Sequence, residues 1–161
     1  MSHALRHEPW LYELELDAEG WTPVADLLAA LGVSRERLED VVRDNPKQRF
    51  ELSGDRIRAR YGHSVPGRIE RAPGVPPAVL YHGTAASVAD RIRREGLRAM
   101  RRQYVHLSVT REMADSVGRR KGAAVAVLAV DTVAARAAGV EFLRGNEFVW
   151  LAVEVPPEFV S

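Results

Sequence analysis

A segment rich in glycine and proline divides this sequence more sharply than any other feature. Five such residues fall within residues 67–77: Gly67, Pro73, Gly74, Pro76 and Pro77. Glycine and proline interrupt helices and strands, so a cluster of them marks a loop or a linker. A chain of 161 residues has room for two small lobes. We therefore predict a linker at 67–77 between an N-terminal lobe, 1–66, and a C-terminal lobe, 78–161.

The N-terminal lobe has stretches in which apolar residues recur with helical spacing. The predicted helices are Ser2–Glu8, Val24–Leu31 and the residues from the cap Ser34 to about Arg43. Thr22 is a predicted N-cap, with Pro23 at the first helical position, where a missing N–H is tolerated. In the third helix, Leu38, Val41 and Val42 are expected to form the buried stripe.

Two short runs after these helices alternate with a period of two, which predicts strands over Phe50–Leu52 and Arg56–Tyr61. Ser53-Gly54-Asp55 supplies turn residues between them, so the pair is a predicted hairpin. Helix, helix and hairpin in this order resemble a winged helix. Such modules often bind nucleic acid, but a fold alone does not establish a function.

The C-terminal lobe alternates between strand-like and helix-like segments, which predicts a mixed α/β arrangement. The predicted strands are Ala78–Tyr81, Tyr104–Leu107, Ala123–Val130 and Phe148–Val155, and the predicted helices are Ser87–Glu95, Thr110–Val117 and Thr132–Ala138. Ala123–Val130 is a continuous apolar run, so we expect it to be a central strand buried on both faces. The overall fold class expected is α+β.

Two histidine motifs are the main candidates for a ligand site in this lobe. They are Leu80-Tyr81-His82-Gly83-Thr84 and Val105-His106-Leu107-Ser108. In each motif a histidine ends a short apolar run, and a residue with a hydroxyl group follows within two positions. Gly83 has no Cβ to obstruct a ligand. The two strand ends are expected to line one cleft suited to a nucleotide. Ordinary strand ends with turn residues are the alternative, because short motifs have many false matches.

Cationic side chains at element ends suggest a second, anionic ligand. Arg6-His7, Arg49, His63 and Arg120 each stand at such a position. Singly, each is an ordinary surface charge; together, they could converge on a phosphate, to which a guanidinium donates two parallel hydrogen bonds.

The stretch 91–122 also carries ten basic and three acidic residues, although the net charge of the chain is only +1. An anionic partner at one surface is expected from this imbalance.

Several chemistries are excluded by what the sequence lacks. There is no cysteine for a disulfide or a thiolate metal site, and the five histidines form no compact set of metal ligands. The Walker A, GxGxxG and GxSxG patterns are absent. Without a long apolar run or a signal-like N-terminus, we expect no membrane partner and a cytoplasmic location. We also expect a monomer.

The motifs taken together resemble one family. In order, they are Leu5-Arg6-His7, Asp17 with Gly20-Trp21, Lys47-Gln48-Arg49-Phe50, Ile57-Arg58-Ala59 with Gly62-His63-Ser64, Tyr81-His82-Gly83-Thr84, Val105-His106-Leu107-Ser108, Val117-Gly118 with Arg120, and Asn146 with Val149. This series resembles the NAD-dependent RNA (tRNA) 2′-phosphotransferase family across essentially the whole chain. The resemblance implies a winged-helix lobe that binds RNA and an ADP-ribosyltransferase-like lobe that binds NAD.

The resemblance also implies a reaction and its residues. The family transfers an internal RNA 2′-phosphate to NAD without a metal, giving 2′-OH RNA, ADP-ribose 1″,2″-cyclic phosphate and nicotinamide, as in tRNA processing or RNA repair. The implied catalytic residues are Arg6, His7, Arg49 and Arg120, and the implied NAD-binding residues are His82, Gly83, Thr84, His106 and Ser108. Arg120 is preferred to Arg119 because the family pattern is Val-Gly-any-Arg.

One departure from the family pattern, one contrast with other ADP-ribosyltransferases and two rival functions accompany this interpretation. Tyr61 stands where the family usually has glutamine, and we expect it to alter RNA or phosphate contacts without abolishing activity. Val149 occupies the place of the glutamate of many ADP-ribosyltransferases, although Glu147 is close in sequence. The first rival is ADP-ribosylation of a terminal phosphate on RNA or DNA. The second is a non-catalytic winged-helix regulator that binds nucleic acid.

Overall fold

The structure is a computed structural model that describes residues 1–122 and 124–161. The chain forms two compact units, Met1–Arg71 and Ala72–Ser161. The boundary between them falls inside the glycine- and proline-rich segment 67–77. In the described part of the chain, no helix has the length and apolar character needed to cross a membrane.

The first unit packs helices against an antiparallel sheet. Its elements are α1 (Ser2–Arg6), a 3₁₀ helix (Pro9–Tyr12), β1 (Thr22–Pro23), α2 (Val24–Leu31), α3 (Arg35–Arg43), β2 (Phe50–Ser53) and β3 (Arg56–Ala59). The strand order is β1-β3-β2. Leu5, Leu27, Leu38 and Ile57 are fully or almost fully buried in its core. The apolar faces of the helices and one face of the sheet therefore share a single hydrophobic cluster.

Local sequence signals predicted much of this unit. The predicted hairpin is confirmed, with Phe50 opposite Ala59 and Leu52 opposite Ile57, although its second strand ends at Ala59 rather than at Tyr61. The helix over Val24–Leu31 and the Ser34 cap are also confirmed, since the Arg37 N–H donates to Ser34 Oγ at 3.2 Å. These features depend on residues a few positions apart, which a sequence displays directly.

Three predictions in the first unit were wrong. The first helix ends at Arg6 rather than Glu8, because Pro9 begins a separate 3₁₀ helix. Thr22 does not cap α2; it pairs with Ile57 in β1, and Pro23 is the capping residue. Val41 is 40% exposed, because the core contact of α3 is centred on Leu38.

The second unit is built on a larger antiparallel sheet. Its strands are β4 (Val79–Ala85), β5 (Leu97–Arg98), β6 (Val105–Ser108), β7 (Val125–Asp131), β8 (Leu143–Arg144), β9 (Val149–Ala152) and β10 (Glu154–Val155). Its helices are α4 (Ala86–Glu95), α5 (Arg111–Gly118) and α6 (Thr132–Ala137), with 3₁₀ helices over Arg119–Lys121 and Pro157–Phe159. Among the described residues, the strand order is β7-β4-β6-β9-β8 in the large sheet and β10-β5 in the small one. The mixed α and β architecture expected from the sequence is confirmed.

The strand predicted over Ala123–Val130 is not central. Ala123 lies outside the described residues, and the strand observed, β7, stands at an edge of the sheet. One side of β7 pairs with β4 along its whole length, while the other side bonds to Ser161 through the backbone of Ala129. The strand is apolar for a different reason: one face of β7 packs on the hydrophobic core, and α5 also lies against the strand.

Two other strand predictions were wrong in their extent. The strand predicted over Ala78–Tyr81 continues to Ala85, because β7 offers backbone partners along that whole stretch. The histidine motif therefore lies inside β4 rather than at a strand end. The strand predicted over Phe148–Val155 is interrupted at Val153, where the chain leaves the large sheet and β10 pairs with β5.

Helix α5 packs against β4 at a backbone-to-backbone contact that requires glycine. A Cβ added at Gly83 would lie 1.6 Å from the carbonyl oxygen of Ala114 and 2.9 Å from the nitrogen of Gly118. A Cβ at Gly118 would lie 2.5 Å from Val125 Cγ1 and 3.1 Å from the nitrogen of Thr84. The expectation that Gly83 leaves its Cβ space open to a ligand was therefore wrong, because α5 fills that space.

We predict that Gly83→Ala destabilises the second unit strongly. No rotamer change can relieve an overlap with the backbone of α5, so the loss should be about 3 kcal/mol or more. Gly122→Ala is the matched control, because its Cβ would meet Ala85 Cβ at an ordinary contact distance of 3.7 Å and its φ of 165° is extended. In thermal unfolding followed by circular dichroism, Gly83→Ala should lower the midpoint by about 10 °C. Equal midpoints for the two variants would contradict the packing role.

Candidate active-site residues

Arg6 is a buried arginine held by the turn that follows β3. Its side chain is only 7% exposed. Arg6 Nε donates to the carbonyl of Gly62 at 3.2 Å, and Nη1 donates to Ser2 Oγ at 3.0 Å. The backbone N–H of Ser64 also donates to the Arg6 carbonyl at 2.8 Å. Both the backbone and the side chain of Arg6 are therefore fixed by the residues at 62–64.

The same turn fixes His7. His7 Nδ1 lies 2.8 Å from Ser64 Oγ. Gly62 has a φ of +85°, and a Cβ there would lie 2.1 Å from Arg6 Nη2. Glycine is thus required both by the backbone conformation and by the arginine beside it. The structure brings the motifs Arg6-His7 and Gly62-His63-Ser64 together, which the sequence alone could not show.

Arg49 stands just before β2 and has an uncompensated guanidinium. Its Nε is buried and has no hydrogen-bond partner among the described residues. Tyr61 shapes the segment before it, because the Tyr61 hydroxyl donates to the Lys47 carbonyl at 3.0 Å. A buried N–H without a partner is costly, so Arg49 is suited to bind an anion that completes its hydrogen bonds.

The two histidine motifs of the second unit lie on neighbouring strands. His82 Nδ1 donates to the carbonyl of His106 at 3.0 Å, and Tyr81 pairs with Ser108. Thr84 and Ser108 are buried, while both histidines are half-buried. The structure thus brings His82, Gly83 and Thr84 of β4 beside His106 and Ser108 of β6. Their side chains form a polar cluster in a mostly apolar sheet.

The two arginines that follow α5 have different environments. Arg119 Nε lies 2.6 Å from Asp115 Oδ2, so this arginine is paired with a carboxylate of α5. Arg120 is exposed, and no ion pair joins it to any described residue. Because Gly118 packs on the backbone of Thr84, the turn that bears Arg120 begins beside the His82 motif.

Sequence reasoning missed the roles of Asn146 and Arg71. Asn146 is 2% exposed, and its Oδ1 accepts from the N–H groups of Phe148 and Val149, both at 2.8 Å. It thereby sets the start of β9, where Val149 lies opposite Ser108. An asparagine just before a strand is a recognisable turn signal. Arg71 gave no such signal, because its partners are the distant carbonyls of Ala59, Arg60 and Glu19.

Comparisons with known proteins identify the family of the chain as a whole. A sequence model of the RNA 2′-phosphotransferase, Tpt1 / KptA family matches residues 1–154. A "Probable RNA 2′-phosphotransferase" of Bacillus thuringiensis subsp. konkukian is 48% identical, in an alignment covering 100% of this chain and 91% of the relative. Proteins of the same name from Pseudomonas paraeruginosa (46% identical; 99% and 92% covered) and Pyrococcus furiosus (40% identical; 100% and 91% covered) are similar as well.

The chain belongs to the RNA 2′-phosphotransferase family. The family recognised from the ordered motifs is therefore confirmed. The described residues contain no group of three or more histidine, aspartate or glutamate side chains that could hold a metal ion.

We predict that Gly62→Ala costs more stability than Gly54→Ala. Both glycines have a left-handed φ, +85° and +57°, but only a Cβ at Gly62 meets another group, the Arg6 guanidinium. Gly54→Ala should cost about 1 kcal/mol, from backbone strain alone. Gly62→Ala should cost about 2 to 4 kcal/mol, because the buried arginine must also move. Urea unfolding measures both, and equal losses would contradict the clamp on Arg6.

Proposed function

We propose that this protein transfers an internal RNA 2′-phosphate to NAD. The products are RNA with a 2′-hydroxyl, ADP-ribose 1″,2″-cyclic phosphate and nicotinamide. Family membership supports the reaction class. The observation that carries the proposal is that Gly62 and Ser64 hold Arg6 and His7 in place. Arginine and imidazole groups held in this way are suited to bind a phosphate.

The first step needs positioning rather than a base. The RNA 2′-phosphate is already an anion; it attacks C1″ of the nicotinamide-side ribose as the bond from C1″ to nicotinamide breaks. Holding an anionic nucleophile in line with its target is a proximity effect. Arg6, His7 and Arg49 hold this phosphate, and the uncompensated Nε of Arg49 is supplied with an acceptor when it binds. The product of this step is an ADP-ribosylated RNA phosphate.

The second step releases the RNA. The ribose 2″-hydroxyl attacks phosphorus and loses its proton, while the RNA 2′-oxygen leaves and gains one. Negative charge builds on the phosphoryl oxygens, and Arg120 stabilises it. An imidazole titrates near neutral pH, so His7 is suited to protonate the departing oxygen, and its Nδ1 contact with Ser64 orients the ring.

NAD is bound by the polar groups of β4 and β6. His82, Thr84, His106 and Ser108 lie on adjacent strands, and their hydroxyl and imidazole groups can hydrogen-bond ribose and phosphate oxygens. These residues fit a nucleotide, which needs donors and acceptors in a largely apolar setting. Val149, opposite Ser108, is consistent with an ADP-ribosyltransferase-like lobe whose substrate brings its own nucleophile.

The first unit is a winged-helix-like lobe in this proposal, but its helix α3 is poorly suited to bind duplex nucleic acid. Arg35 is paired with Glu39 and Asp55, and Arg43 is paired with Asp40 and Asp44. Binding to phosphates depends on cations that are free to replace counterions. Two of the three arginines of α3 are already neutralised by acids, which leaves Arg37 and disfavours a purely regulatory role.

The reaction is tested with the pure protein, NAD and a short RNA that carries one internal 2′-phosphate. Products are resolved by mass. RNA with a 2′-hydroxyl together with ADP-ribose cyclic phosphate is the expected result. RNA that keeps ADP-ribose as the final product would contradict the second step and favour modification of terminal phosphates. Intact NAD and unchanged RNA would contradict the proposal.

We predict that Arg120→Ala and Arg119→Ala separate the two steps. Arg120→Ala should slow the second step by about 100-fold, because it removes charge stabilisation, and ADP-ribosylated RNA should accumulate. Arg119→Ala, the adjacent control, should change the rate by no more than about threefold, because Asp115 already engages this side chain. Accumulation of the intermediate in Arg119→Ala instead would reverse the assignment.

A further inference from the structure

Arg60 lies directly opposite Arg49 at the open end of the β2–β3 hairpin. The ladder ends with Phe50 opposite Ala59, and the next residue on each strand is an arginine. The N–H of Arg60 donates to the Arg49 carbonyl at 2.7 Å, which extends the pairing by one residue. Directly opposite residues of an antiparallel pair point to the same face, with Cβ atoms about 5 Å apart.

This pair carries more positive charge than its surroundings neutralise. Like charges placed directly opposite are destabilising. Arg60 Nε, like Arg49 Nε, is buried without a hydrogen-bond partner among the described residues. The nearest carboxylate, Glu51 Oε2, lies 4.0 Å from Arg60 Nε but only 2.8 Å from Arg58 Nε, so it serves mainly Arg58.

The other arginines on β3 have carboxylate partners that neutralise their charge. Arg58 is paired with Glu51 and Glu19 and lies 4.3 Å from the centre of the Trp21 ring. Arg56 lies 3.5 Å from Asp17 Oδ2. Uncompensated charge is therefore concentrated at the end of the hairpin that bears Arg49 and Arg60.

The backbone of Arg60 is also firmly held. Arg71 Nε donates to the Arg60 carbonyl at 2.7 Å, and Arg71 Nη2 donates to the Ala59 carbonyl at 2.5 Å. The residue is thus fixed at its main chain while its guanidinium lacks a full set of acceptors. An anion that binds this guanidinium has to order only the side chain, because the main chain is already held.

We propose that Arg60 is a phosphate-binding residue that acts with Arg49 on the 2′-phosphate of the RNA. A phosphate monoester carries about −1.5 to −2 charges near neutral pH, whereas each backbone diester carries one. Two opposed guanidinium groups match the monoester in charge and in the number of oxygens available. The assignment rests on the proposed function, which places Arg49 at the same phosphate.

The test compares two fluorescently labelled RNAs that differ only in one internal 2′-phosphate. Their affinities are measured by fluorescence anisotropy without NAD, so that binding is separated from turnover. The wild-type protein should bind the phosphorylated RNA more tightly by about 30-fold, and Arg60→Gln should reduce this ratio by about tenfold. Arg60→Lys, which keeps the charge but not the planar fork, should give an intermediate ratio. Arg56→Gln, on the same strand and face, should leave the ratio within about twofold.

An unchanged ratio in Arg60→Gln would overturn the inference, as would a wild-type ratio near one. Equal weakening of both RNAs would also overturn it, because Arg60 would then bind the RNA backbone. Thermal midpoints show whether the variants remain folded. If Arg60→Gln does not fold, Arg60→Lys still tests the inference. Wild-type turnover of NAD is measured separately. A protein that discriminates through Arg60 but does not turn over NAD would retain this inference and lose the proposed function.

Discussion

The close contact between α5 and β4 is the constraint on which the second unit depends. Gly83 and Gly118 let two backbones meet where any side chain would overlap the other element. That contact places the turn bearing Arg119 and Arg120 beside the strand that carries His82 and Thr84. A candidate nucleotide-binding strand and a candidate catalytic arginine are thus positioned by packing of the main chain, which is more rigid than positioning by side chains.

The first unit positions its cations by hydrogen bonds instead. Arg6 is buried and bonded to the turn at 62–64, and Arg71 bonds to carbonyls at the end of β3. Many other arginines of this unit are paired with acids, including Arg35, Arg43 and Arg58. Charge left uncompensated by the described residues, as at Arg49, therefore marks a candidate functional residue.

Prediction from sequence succeeded where the determinants are local and failed where they are not. Helix α2, the Ser34 cap and the hairpin follow from residues a few positions apart. The edge position of β7 depends on which strands pair, and no periodicity reports that. The ordered motifs identified the family and the candidate residues. The anchoring of Arg6 by Gly62 and the helix contact at Gly83 join residues that are distant in sequence, so no local pattern displays them.

The most direct test of this account is a titration of the ¹⁵N-labelled protein with NAD, followed by two-dimensional NMR. The account predicts that amide shifts centre on β4 and β6, at residues 82–84 and 106–108, and on the turn bearing Arg120. Gly139, which follows α6 and which no proposal places at the nucleotide, provides an internal comparison. Shifts confined to residues 1–71, or no shifts at NAD concentrations that support turnover, would contradict the placement of the nucleotide site.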